Sequence, residues 1–257
     1  GYVIALAAAA LVPSVVSAAP VDLSGWTEEL GPSTPNANWT VQGVLNDSVF
    51  QSVNSAPSVF FDPTANSQGL ALSGEITVET TGDDDYIGFV LGFNSGDFSS
   101  ASSDFWLIDW KQLDQGFCGG TADAGLSLSQ VSGDVGNSTE CDFWLHEATD
   151  DEVARGSTQG STGWNDNQTY EFDLVFTSNV IEVFVDGNKE ISYAGDFTDG
   201  SFGFYNYSQP NVRYAGITED EAPPPNPIPL PAAGWLLFAG IGGLAAIKRR
   251  KTAAKTA

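Results

Sequence analysis

Tyr170-Glu-Phe-Asp-Leu-Val-Phe-Thr-Ser-Asn-Val-Ile-Glu-Val-Phe-Val-Asp-Gly-Asn-Lys-Glu-Ile-Ser-Tyr193 carries the pattern that decides the fold class. Apolar side chains fall at every second position: Tyr170, Phe172, Leu174 and Phe176, then Ile181, Val183 and Val185. Side chains alternate between the two faces of a strand, so each set lies on one face of an extended segment. Thr177-Ser-Asn179 supplies the first turn and Asp186-Gly187 the second, a strong hairpin pair. Glu190-Ile-Ser-Tyr193 is the return strand. The same period recurs from residue 39 to residue 217, as in Glu75-Ile-Thr-Val-Glu79, with no helical stripe. About a dozen short strands of this kind predict two packed antiparallel sheets. The Gly-, Ser- and Asp-rich stretch 118–141 is expected to be a long loop or a strand pair on the rim. Residues 150–166 are expected to be a second loop.

The ends of the 257-residue chain follow other rules. Gly1-Tyr-Val-Ile-Ala-Leu-Ala-Ala-Ala-Ala-Leu-Val is an apolar run closed by Val16-Ser-Ala-Ala19. That is the composition of a signal peptide and its cleavage site, with the true start missing, and it assigns residues 1–19 to export. Residues 20–220 are the one folded domain. Residues 221–232 are a Pro-rich linker and motif, Glu221-Ala-Pro-Pro-Pro-Asn-Pro227 followed by Ile228-Pro229-Leu230-Pro231-Ala232. An uncharged run over 233–247 then meets Lys248-Arg-Arg-Lys251, so residues 233–257 are expected to enter a membrane with the basic cluster left on the cytoplasmic side. This order resembles the PEP-CTERM family of bacterial sorting signals, in the variant reading V-P-L-P-A, with Ile228 in place of Val. The resemblance implies a Gram-negative host, processing by an exosortase-type protease, and association with exopolysaccharide. A permanent C-terminal anchor is the alternative.

Charge excludes some partners. All 33 acidic residues lie between Asp22 and Glu221, where only Lys111, Arg155, Lys189 and Arg213 are basic, leaving the body at −29. Such a body repels nucleic acid and anionic membrane. It suits either a solvated surface in saline surroundings or Ca²⁺ binding. The two cysteines, Cys118 and Cys141, predict one disulfide in an exported chain, against the alternative of two free thiols. With a single histidine they do not make a Cys/His zinc site.

Three segments of the body resemble the C-terminal domain of thrombospondins. They are Asp83-Asp-Asp-Tyr-Ile-Gly-Phe-Val-Leu-Gly-Phe93, Phe105-Trp-Leu-Ile-Asp-Trp-Lys-Gln112, and Gly200-Ser-Phe-Gly-Phe-Tyr-Asn-Tyr-Ser-Gln209 with Val212-Arg-Tyr214. Val183-Phe-Val-Asp-Gly187, Trp39 and Phe50-Gln-Ser-Val-Asn54 fit as well, while residues 118–160 fit least and look like an insertion. The resemblance implies an all-β, concanavalin-like jelly-roll sandwich of two antiparallel sheets. It also implies a Ca²⁺-binding, lectin-like adhesive role without catalysis.

Candidate sites follow from side-chain chemistry. Asp83, Asp84 and Asp85 are three adjacent carboxylates at the start of a strand. They repel one another unless they are solvated or bridged by a hard cation, and strand alternation would let one ion take at most two directly. Asp109 and Lys111 share one strand face opposite Trp106, Ile108 and Trp110, and are expected to pair. Trp164, Tyr205, Tyr207 and Trp144 are aromatic candidates for stacking on a sugar, each competing with a place in the core. A glycosidase alternative is weakened because Glu171-Phe-Asp173 lacks a third carboxylate at Phe176. His146, in Phe143-Trp-Leu-His-Glu147, is expected on a strand surface with no nucleophile elbow beside it. The leading expectation is an exported, non-catalytic, calcium-stabilised binding module of the cell surface or exopolysaccharide matrix. A glycan-cleaving enzyme and a structural matrix protein without a specific ligand are the alternatives.

Overall fold

The computed structural model describes residues 18–31 and 33–222. Most of the expected signal peptide, most of the linker, the motif Ile228 to Ala232 and the apolar tail lie outside the described residues. No helix among the described residues is long and apolar enough to cross a membrane.

Sixteen strands occur among the described residues. One seven-stranded antiparallel sheet, sheet A, runs in the order β1 (Thr27–Leu30), β4 (Ser58–Phe61), β15 (Ser201–Tyr207), β6 (Tyr86–Phe93), β7 (Ser103–Lys111), β10 (Gly125–Gly133) and β11 (Asp150–Arg155). The other, sheet B, runs β14 (Asn188–Ala194), β13 (Val180–Val185), β12 (Thr169–Phe176), β5 (Leu70–Val78), β16 (Val212–Glu221), β3 (Ser48–Gln51) and β2 (Trp39–Gln42). The quoted meander is β12, β13 and β14, in the expected register, with Phe172 opposite Val185 and Phe176 opposite Ile181. The two sheets form the jelly-roll sandwich.

Alternation explains what each face meets. Trp106, Ile108 and Trp110 of β7 point between the sheets and pack with Phe172, Leu174 and Val183 of sheet B. Phe105 and Leu107 point the other way into a second cluster, with Val90, Val131, Phe143 and Trp144. Sheet B keeps a solvated outer face, where Glu171 is exposed opposite Glu75. Sheet A has no such face. Its outer side lies under a cover built from the hairpin β8 (Gln115–Phe117) and β9 (Gly120–Ala122), the helix α1 (Glu140–Leu145), and short helical turns at Asp97–Ser99 and Val135–Asn137. Every residue of β6 and of β15 is therefore buried. This accounts for their nearly continuous apolar sequences, which are usual for strands covered on both faces.

Two loop expectations change. The stretch 118–141 is more than a rim loop or strand pair: it supplies β10, a strand of sheet A itself, as well as β9 and the start of α1, which lie over the outer face of that sheet. The six residues of α1 were invisible to a search for helical stripes because they span fewer than two turns. Residues 150–166 begin with β11, whose charged outer residues hid its strand character. Glu190, 4% exposed, orders the loop that follows β11 by accepting bonds from Thr158 N at 2.8 Å, Thr158 Oγ1 at 2.5 Å and Gln159 N at 3.0 Å.

Gly88 lies in the middle of β6, where β7 comes close. A Cβ there would meet the Ile108 carbonyl oxygen at 2.0 Å and Asp109 Cα at 2.9 Å, both backbone atoms that cannot yield. Gly88→Ala is expected to destabilise the protein by about 3 kcal/mol, the upper range for overpacking. Urea unfolding followed by tryptophan fluorescence measures it, and an unchanged midpoint would contradict the packing described.

Candidate functional site

The cover is fastened to sheet A at several points. Asp142 accepts the Thr139 N–H at 3.0 Å and starts α1, and His146, at φ 50°, ends it. Tyr86 Oη donates to the Trp144 carbonyl at 2.7 Å and Tyr207 Oη to the Glu140 carbonyl at 3.1 Å, so two sheet tyrosines hold helix carbonyls. The Cys118–Cys141 disulfide joins the hairpin tip to the helix and leaves no free cysteine. The expected disulfide is therefore formed, and it fits an oxidising, exported setting.

Beneath the cover, Lys111 is fully buried. Its Nζ lies 2.7 Å from Asp85 Oδ1, 3.0 Å from Gln115 Oε1, 3.2 Å from the Asp84 carbonyl and 4.0 Å from Asp84 Oδ1. It also sits 4.4 Å from the ring centre of Trp144 and 5.1 Å from that of Tyr86, both cation–π contacts. Asp85 is 2% exposed. Burial pushes its carboxyl up to about 6, against the opposing pull of Lys111, and the adjoining Asp83 carboxyl adds to the rise.

One oxygen from each of Asp83, Asp84 and Asp85 falls within 4.8 Å of the others. Strand alternation did not anticipate this. The triplet precedes β6, and Asp83 has φ 90°, so the three residues do not alternate as strand residues do. Asn54 Nδ2 donates to Asp83, and the Gln209 amide oxygen accepts the Asp85 N–H at 3.0 Å. A surface cavity of about 280 Å³ opens beside the triplet and is lined in part by Asp83, Asp85, Asn54, Phe117, Trp144 and Ser208. Phe117 is 46% exposed and meets Trp144 edge-on at 5.3 Å.

A second polar group lies at the end of α1. His146, with 8% of its side chain exposed, places Nε2 at 3.0 Å from Asp109 Oδ2 and Nδ1 at 3.3 Å from Glu152 Oε2. Asp150 Oδ2 is 4.0 Å from Nε2. Arg155 grips Glu152 through Nε at 2.9 Å and Nη2 at 2.7 Å. Burial opposes charge on His146, but Asp109 and Asp150 together outweigh it and hold the imidazole well above its ordinary value. Burial pushes Asp150 up to about 7. Ser127 Oγ bonds Asp109 Oδ1 at 2.6 Å, so the order is serine, carboxylate, imidazole. No imidazole stands next to the hydroxyl as a nucleophile's base would.

Several sequence expectations are corrected here. Trp164, Tyr205, Tyr207 and Trp144 are at most 3% exposed and cannot offer open ring faces. Trp164 instead spans the core, with its indole N–H 3.1 Å from the carbonyls of Asp85 and Trp110. Trp144, on the helix of the cover, and Tyr207, on the sheet beneath it, do border the cavity, but both are buried. Asp109 and Lys111 share a face without pairing, because Lys111 takes Asp85 and Asp109 takes His146. His146 is no surface strand residue. The exposed aromatic at the cavity is Phe117, in a segment too polar overall to attract notice.

Residues 34–220 match the sequence profile of the thrombospondin C-terminal region. Thrombospondin-4-B of Danio rerio is 28% identical over 73% of this chain and 20% of its own length. Human cartilage oligomeric matrix protein is 27% identical over 73% of this chain and 26% of its own. The chain thus matches about a fifth to a quarter of the length of these curated relatives. Among solved structures, the carbohydrate-binding module CBM66 of Bacillus subtilis superposes with a TM-score of 0.53 at 12% identity, covering 76% of this chain and 95% of that one. That likeness is one of fold.

The Lys111–Asp85 pair yields a direct test. Lys111→Met leaves a buried carboxylate without its counter-charge and is expected to cost about 3–5 kcal/mol. Adding Asp85→Asn removes that charge and should restore much of the loss. A double-mutant cycle by denaturant unfolding reads the coupling, and a neutral Lys111→Met would refute the pair's structural role.

Proposed function

This chain belongs to the thrombospondin C-terminal region family, and on that premise we propose that it is a non-catalytic, lectin-like binding module. In this reading a glycan occupies the cavity beside Asp83 and Asp85, and Ca²⁺ occupies the aspartate triplet. The observation that carries the reading is the convergence at one surface cavity of carboxylate, amide and hydroxyl groups with the exposed ring of Phe117. Sugars present hydroxyls to the first set and C–H faces to the second.

Charge favours the cation. Three carboxylates face one ammonium, Lys111, which leaves a surplus of two negative charges that a divalent ion balances. Ca²⁺ takes six to eight oxygens, so three aspartates would be joined by carbonyls, water or sugar hydroxyls. Export, release by an exosortase-type protease and placement at the surface or in the exopolysaccharide of a Gram-negative bacterium rest on the two terminal segments. The adhesive activities of whole thrombospondins are not carried over with one domain.

The test uses the disulfide-bonded protein. Calcium is expected to raise its melting temperature, with the gain lost in Asp84→Asn, whose half-buried carboxylate is not the main partner of Lys111. A glycan array run with Ca²⁺ identifies ligands for calorimetry. Phe117→Ala should weaken binding about tenfold, as loss of one aromatic contact predicts, and leave the calcium shift intact. A blank array beside an intact calcium shift would favour a structural matrix protein. Release of reducing ends, lost in Glu171→Gln, would favour the enzyme.

A further inference from the structure

Two buried polar atoms at the cavity beside the aspartates have no partner within the protein. Ser55 is 2% exposed and Trp144 3%, and both residues line that cavity. Neither the Ser55 hydroxyl nor the Trp144 indole N–H makes a hydrogen bond. Buried polar atoms are almost always bonded, so these two mark a place where the polar groups of a ligand would be met. Glu140 lines the same cavity. It is the first residue of α1, and its carbonyl accepts the Tyr207 hydroxyl at 3.1 Å. Cys118 follows Phe117 and Cys141 follows Glu140, so the disulfide ties the residue with the exposed ring to the residue with the carboxylate.

Charge selects the kind of ligand. Asp85 is engaged by Lys111, but among the described residues no basic side chain pairs with Asp83 or Glu140. A Ca²⁺ ion on the triplet would balance the three aspartates together with Lys111, and Glu140 would remain. Without that ion, Asp83 adds to it. In both states the cavity lacks a positive charge. Glu140 stands outside the group of three convergent carboxylates. Alone it does not hold a divalent ion, which takes six to eight oxygens. An ammonium asks for less, since its three donors are met by one carboxylate and neighbouring hydroxyl oxygens.

On the lectin-like reading of this cavity, we propose that its ligand is an amino sugar with a free, protonated amine, the ammonium resting on Glu140 and the sugar's C–H face on Phe117. Sugar hydroxyls would reach Ser55 and the indole N–H of Trp144. An N-acetylated sugar puts a neutral, bulkier amide where Glu140 lacks a cation. An acidic sugar sets like charges together, and a neutral one leaves the carboxylate to water. The charge of the body agrees with this class. At −29 it draws a polycationic chain toward the surface before any specific contact forms. The disulfide gives selectivity a fixed frame, because ring and carboxylate cannot drift apart without opening the cover.

The disulfide-bonded protein in Ca²⁺ is titrated calorimetrically with a glucosamine tetrasaccharide and with its fully N-acetylated counterpart, probes that differ only at the amine. The free-amine probe is expected to bind about tenfold more tightly, the size of one charge-assisted contact. Glu140→Gln should remove that preference by weakening the amine probe alone. Glu75→Gln, an equal loss of charge on the exposed outer face of sheet B, should leave it intact and so separate the site from general attraction to an acidic surface. Equal affinity for the two probes, a preference that survives Glu140→Gln, or one lost equally in Glu75→Gln would overturn the proposal. Array ligands without amines that depend on Phe117, beside two silent probes, overturn it and leave the glycan reading standing. A blank array beside two silent probes overturns both. Silent probes beside a lysine-rich peptide that binds through Glu140 would replace the sugar by a basic protein partner. If Glu140→Gln fails to fold, the two probes on the unaltered protein and on Glu75→Gln still decide.

Discussion

Burying the second face of sheet A takes its charged side chains out of water and presses them to find partners inside the protein. On an open sheet, Asp109, Lys111, Ser127 and Ser129 would be ordinary solvent-side residues. Here the hairpin, α1 and their disulfide close over them, and water is no longer available to each group. An ionised side chain left alone in such surroundings costs several kcal/mol, so charges are drawn into clusters. Two clusters result, one around Lys111 and one around His146, both roofed by the same helix.

Trp144 connects this burial to the surface. Its ring covers Lys111 from above, its carbonyl is held by Tyr86, and its edge meets the exposed Phe117. The cavity wall is thus supported by the buried ion pair beneath it. A ligand there would rest on a preorganised surface, because the disulfide and the tyrosine hydroxyls already hold the cover. The order of dependence runs from strand alternation to a covered face, from the covered face to paired charges, and from paired charges to a fixed wall.

The sandwich was legible in the sequence because period-two alternation is a local signal, and the β12–β14 meander shows it with its turn residues in place. The disulfide was legible from a simple count of cysteines. The triplet was legible as a cluster of charge, but not as three converging oxygens, since that depends on the positive φ of Asp83. The aromatic expectations failed for a different reason. Tyr205 and Tyr207 do alternate as surface residues should, yet a segment distant in sequence covers them, and Trp144, on the helix of that segment, turns inward onto the sheet. Likewise nothing local marks His146 as the meeting point of Asp109, Asp150 and Glu152, which come from β7 and β11. Long-range covering is what a single sequence encodes least visibly.

The charge of the body narrows what the proposed cavity could accept. At −29 between Asp22 and Glu221, the surface opposes any approaching polyanion within a Debye length of roughly 10 Å at 0.1 M salt. An acidic polysaccharide could bind only if a divalent cation shared its oxygens between the aspartates and the sugar. A neutral glycan faces no such barrier and could use the carboxylates directly as hydrogen-bond acceptors. Calcium would therefore act differently on the two classes: it would be obligatory for acidic chains, but for neutral ones it would compete for the same oxygens unless hydroxyls complete its shell. The aspartate triplet, read in this way, bears on specificity as well as on stability, because the same surplus of two negative charges that invites the cation also sets which sugars need it.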